Sequence, residues 1–129
     1  MKLRATFLLS LAVLAVSCGD PPEGSYAGQV GEVGLRVDLR PGGKARQEGF
    51  GGRELEGIWR SDEILGEKAL LLDFEVEGTK PYTLRFDLRP ESEGLRVARI
   101  LVRKAGARRF FPAWAPLDGE PYPHLRRTK

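Results

Sequence analysis

The chain has 129 residues, 41% of them hydrophobic and 30% charged, a formal net charge of +3, one cysteine and one histidine. That length allows one ordinary domain. A single cysteine excludes an internal disulfide framework and a thiolate metal cluster, and so small a net charge argues against a nucleic-acid binder.

Chain order begins with a basic start, Met1-Lys2-Leu3-Arg4, followed by the apolar run Phe7–Val16. The run is about 10–12 residues long, against the ~20 that a membrane-spanning helix needs. It therefore reads as a processed secretory leader. The sole cysteine follows small residues in Leu14-Ala15-Val16-Ser17-Cys18, which resembles the lipobox of bacterial lipoproteins. The resemblance implies cleavage before Cys18, diacylglycerol on its thiol and acylation of its new amine. Several acyl chains together make anchoring stable. Ala15 stands where the family prefers leucine. Gly19 after the cysteine implies, by the lipoprotein sorting rule, an outer-membrane location facing the periplasm. Loss of Lys2 and Arg4 with residues 1–17 takes the formal charge from +3 to +1. Residues 18–25 then form a Pro- and Gly-containing tether.

Beyond the tether, alternation takes over. Leu35, Val37 and Leu39 share one face, and Arg36, Asp38 and Arg40 the other, the period-two mark of a half-buried strand. Pro41-Gly42-Gly43 turns the chain, and Lys44–Phe50 returns. Gly51-Gly52 signals a hairpin. Arg53–Arg60 follows, with Leu55, Gly57 and Trp59 on one face, and Ser61–Glu67 reads as a turn. Ala69–Val76 is the strongest strand, with Leu70, Leu72, Phe74 and Val76 aligned. Tyr82, Leu84, Phe86 and Leu88 alternate in the next, after the turn at Gly78-Thr79-Lys80. Pro90–Gly94 reads as another turn. Leu95–Lys104 is a strand with apolar residues on parts of both faces, and Arg108–Phe111 is a short last one. No helical period is present. The pattern predicts an all-β fold, a single small antiparallel up-and-down barrel of six to eight strands over residues 26–117, with a basic C-terminal tail over 118–129. Closure into a barrel removes the exposed edges an open sheet would leave.

Leu35–Pro41 and Leu84–Pro90 match at all but one position. Duplication of a half-barrel is one reading. Convergence is the other, with arginines flanking an aspartate on an outward face and proline ending the strand.

The order Gly24-Ser25-Tyr26-Ala27-Gly28, strand, glycine turn, Gly57-Ile58-Trp59 resembles the N-terminal domain of NlpE-type copper-homeostasis and envelope-stress lipoproteins, over roughly Gly24 to Leu88. It is more loosely similar to lipocalin-like periplasmic barrels. The family carries a Cys-x-x-Cys pair where this chain reads Gln29-Val30-Gly31-Glu32-Val33-Gly34, so the family's metal-linked role does not carry over.

Catalytic groups are sparse. Ser25, Ser61 and Ser92 lie in tether or turns, and His124 lies in the Pro- and Arg-rich tail, where no base is held. Asp38, Asp73, Glu75 and Asp87 alternate with large apolar residues and read as outward charges. No enzyme, cofactor or metal is expected. Trp59, Phe74, Tyr82 and Phe86 form either the core or the lining of a lumen for a small apolar ligand. Arg108, Arg109, Phe110, Phe111 and Trp114 mix the residue types enriched at interface hot spots. They either plug one barrel end or form a partner surface. Residues 91–129 carry 4 acids and 9 bases, against 14 and 10 in residues 18–90, an asymmetry suited to an acidic partner or anionic lipid. The composition lacks asparagine and is rich in charge, as in thermophile proteins. The expected function is that of a membrane-anchored, non-catalytic interaction module with an envelope protein as partner. The alternative is a carrier or sensor of a small apolar ligand.

Overall fold

The computed structural model describes residues 23–128; the expected leader 1–17, Cys18 and the expected tether up to residue 22 lie outside the described residues. Nine strands follow in chain order: β1 (Gly24–Val30), β2 (Val33–Arg40), β3 (Lys44–Glu48), β4 (Leu55–Ile64), β5 (Glu67–Val76), β6 (Tyr82–Glu91), β7 (Gly94–Lys104), β8 (Phe111–Trp114) and β9 (His124–Arg127). The only helical element among the described residues is a single 3-10 turn, Pro41–Gly43. Strands β1 to β7 form an antiparallel meander. β9 then pairs with both β1 and β7, closing an eight-stranded barrel, while β8 lies on the remaining edge of β7. The all-β barrel expected from the alternation is the observed fold.

The inward faces are those the alternation marks. Leu35, Val37 and Leu39 of β2 meet Leu70, Leu72 and Phe74 of β5, Leu84, Phe86 and Leu88 of β6, and Tyr26 of β1 in one core. Phe74 and Phe86 are fully shielded and pack edge to face, with ring centroids 5.7 Å apart. Each such side chain contributes roughly 1.5–3 kcal/mol by leaving water. Polar groups that enter the core are satisfied. The indole N–H of Trp59 donates to the Arg40 carbonyl at 2.8 Å. Buried Gln47 donates to the Phe50 carbonyl and accepts from the Phe50 N–H, replacing ladder bonds where β3 has ended. Gly57 is required by proximity, because a Cβ there would stand 2.0 Å from the Asp73 carbonyl oxygen.

Four sequence expectations are corrected, and the two-faced apolar pattern of Leu95–Lys104 is explained. The short strand expected over Arg108–Phe111 is instead Phe111–Trp114, because residues 105–110 form the turn that leaves β7. Ser61–Glu67 is not a long turn: β4 runs to Ile64, β5 starts at Glu67, and only Leu65 and Gly66 turn, with Leu65 at φ 52° and wholly exposed. Arg60 to Glu63 are all exposed, so this part of β4 shows no apolar alternation. Pro90 does not end its strand; it sits inside β6, opposite Leu95. Leu95–Lys104 changes parity because the register shifts between Asp87 and Leu88. Arg99 pairs with Asp87 and Val97 with Leu88, so Ala98 is the extra residue of a β-bulge. The bulge turns both Val97 and Ile100 inward, and both are fully buried. Finally, the segment 118–129 is not only a tail. His124–Arg127 is the strand that closes the wall, and Leu125 is fully buried.

Antiparallel order sorts the turns into two ends. The near end holds the entry of the chain at Gly24 and the turns at 41–43, 65–66 and 92–93. The far end holds those at 31–32, 49–54, 77–81 and 105–110.

Candidate partner surface

Outside the barrel, arginines and carboxylates are laid across the strands in registered rows. One row runs Lys44, Ile58, Asp73, Arg85, Leu101, Pro112 from β3 to β8. Arg85 makes a two-pronged hydrogen bond to Asp73, at 2.7 and 2.8 Å. That bond holds the guanidinium above its ordinary pKa. Phe110 rests on this pair, its ring centroid 4.0 Å from the guanidinium carbon of Arg85 and 4.7 Å from that of Arg103. Stacking of this kind contributes about 0.5–1 kcal/mol at an exposed site.

A second set links four strands. Arg99 and Arg89 both hold Asp87, at 3.1 and 2.8 Å; Arg89 reaches on to Glu67. Glu67 also binds Arg96 at 2.6 Å, and Arg96 binds Glu91 at 3.1 Å, which in turn lies 3.1 Å from His124 Nδ1. Asp87 is on the outward face, as its place in the alternation requires, but it is buried there, and none of its surface reaches solvent. Burial pushes its carboxyl up, but the hydrogen bonds and charges of Arg89 and Arg99 outweigh this and hold it below the ordinary value. Asp38 and Asp73 are partly exposed, and Glu75 accepts from the Thr83 hydroxyl. His124, read as loose, is held in a strand.

The Arg108–Trp114 segment divides into anchors and exposed groups. Phe110 is pinned by the two arginines. Trp114 packs against the core and is opposite Ile100. Phe111 is opposite Val102, so the two share a face, and it remains 62% exposed. Arg108 and Arg109 are exposed in the turn that precedes it. Beside them, at the far mouth between β6 and β7, lies an open depression of about 560 Å³ lined by Lys80, Pro81, Tyr82, Val102, Lys104 and Ala105. The sequence brought forward five residues of this end but not Lys80, Arg85, Arg103 or Lys104. Only the pairing of β6 with β7, and the return of the chain as β8, sets those four beside them.

Of the aromatics considered for a lumen, Trp59, Phe74 and Phe86 are buried and Tyr82 is partly so; all four belong to or pack on the core. Among the described residues no three His, Cys, Asp or Glu side chains group as metal ligands. Comparison of the chain with protein-family models, with curated proteins and with solved structures gives no match.

Proposed function

We propose that this chain is a lipid-anchored protein of the cell envelope, outer-membrane facing the periplasm, in which a rigid barrel presents a non-catalytic contact surface to a partner protein. The observation that carries the reading is Phe111, a large apolar side chain 62% exposed between two anchored neighbours, Phe110 and Trp114. An exposed aromatic flanked by arginines on a fixed strand is a preorganised hot spot, and little freedom remains to be lost on binding. The lipobox-like Leu14–Cys18 run and the likeness of Gly24–Leu88 to NlpE-type domains support the envelope setting. The alternative, a carrier of a small apolar ligand, needs room where Phe74 and Phe86 fill the interior.

The test uses the full chain in cells, with a photo-cross-linking amino acid in place of Phe111. A single defined adduct in the membrane fraction is expected. Cys18→Ser should move the protein out of that fraction, and Arg108→Glu with Arg109→Glu should abolish the adduct. A chain that stays in membranes without Cys18 sinks the anchor. A chain that forms no adduct sinks the contact surface.

A further inference from the structure

Basic residues cluster without acidic partners where the 77–81 and 105–110 turns meet at the far end. Every arginine from Arg36 to Arg99 except Arg53 lies within 4.0 Å of a carboxylate oxygen. Lys80 and Lys104 line the depression, Arg108 and Arg109 lie exposed in the turn that follows Lys104 at the same end, and none of the four pairs with a carboxylate among the described residues. Proximity of the two turns is fixed by the backbone, since the Ala105 N–H donates to the Pro81 carbonyl at 3.2 Å. Glu77 is the one acid in the 77–81 and 105–110 turns. Two adjacent turns and the strand end beside them thus carry four cations without a carboxylate partner and a single acid, whereas the arginines of β2 to β6 are each paired within the sheet.

We infer that this mouth binds an acidic polypeptide segment of the partner, one apolar side chain entering the depression and flanking carboxylates meeting Lys80, Lys104, Arg108 and Arg109. The inference rests on the reading of the chain as an anchored interaction module. Three observations favour a polypeptide over the bilayer that holds the anchor. First, the depression is concave and bounded by lysines, with Tyr82 and Val102 on its apolar floor, and a flat headgroup layer does not enter it. Second, the exposed Phe111 shares a face with Val102 and extends the apolar strip beyond the depression. Third, the mouth is at the wrong end for its own membrane. The chain enters the barrel at Gly24, on the near end, only six positions after Cys18. Six residues reach at most about 20–22 Å. Strands of ten to eleven residues at the tilt of a small barrel give a wall ~25–28 Å tall. Inverting the barrel onto its own bilayer would need a tether longer than the wall is high. The far mouth therefore cannot rest face-on against the anchoring membrane.

The test uses the full-length lipidated chain in phospholipid nanodiscs, with a fluorescein-labelled peptide of repeating Glu-Glu-Leu as probe. Saturable binding that weakens with added salt is expected. Lys80→Glu with Lys104→Glu should weaken it about tenfold or more, as loss of complementary charge does. Lys44→Glu, at an exposed near-end position, should leave it unchanged. No binding, or binding indifferent to the far-end reversals, overturns the inference. So does quenching of a bimane label at residue 107 by brominated phosphatidylglycerol in proteoliposomes, which would put the patch on the bilayer. A Phe111 adduct in cells that survives Lys80→Glu with Lys104→Glu would leave the interaction module standing and overturn only the acidic partner.

Discussion

Asp87 shows how a single side chain can be misjudged from its position in an alternation. Its neighbours Phe86 and Leu88 face the core, so it faces out, as the period requires. Its burial comes from the strands alongside. Leu71 of β5 and Arg99 of β7 stand opposite it, and Arg89 folds back from its own strand. Asp38, at the equivalent place in the other Leu-Arg-x-Asp repeat, has looser partners at 3.6 and 3.9 Å and keeps some exposure. One motif thus gives two environments, and the difference lies in the cross-strand neighbours. Asp87→Asn should destabilise the barrel by about 2–4 kcal/mol, because it leaves two guanidinium groups facing a neutral amide. The native carboxyl is held below the ordinary Asp value of about 3.9. Its contribution is therefore complete above that pH and disappears as pH falls through the lower, folded-state value. Thermal melts between pH 6 and pH 2 should show a steeper acid decline in the native chain than in Asp87→Asn.

Strands differ in how far the sequence exposes them, and the reason is whether each has a wet face and a dry face. β2, β5 and β6 do, and their alternation was legible residue by residue. The lower part of β4 has no dry face, since Arg60 to Glu63 are all exposed, so it read as a turn. β7 was half legible because the bulge at Ala98 moves its inward positions from odd to even. β9 was illegible: four residues with one buried leucine among charges carry no period. Yet that strand closes the wall. Leu125→Ala should cost about 2–5 kcal/mol, as loss of a fully buried leucine does, well above what a substitution in a loose tail could cost. Chemical denaturation followed by Trp fluorescence measures it. The contact surface was legible in part for a similar reason. Its aromatic and basic run is local in sequence, while the lysines and arginines that complete it come from β6, β7 and their turns.

At the scale of the whole molecule, the fold is a meander whose end is tied back to its start. The Thr128 N–H donates to the Ser25 carbonyl at 2.8 Å, beyond the β1–β9 pairing of Tyr26 with Arg127. The two ends of the described chain are therefore neighbours. A circular permutant that joins 128 to 24 through a short glycine linker and opens between Leu65 and Gly66 should fold to the same sheet, because the new break falls where Leu65 touches solvent on all sides. Far-UV circular dichroism and a single cooperative melt would establish this; a broad, non-cooperative melt would mean that the closure is not a fixed part of the wall. The β9 closure also has a temporal side. Until β9 is available, β1 and β7 each keep an unpaired edge and the wall cannot lock. β9 follows every other described strand in chain order, so in delivery from the N-terminus it emerges after them. Strand order alone then keeps the wall open while its first eight strands are delivered, and lets it seal only with the ninth.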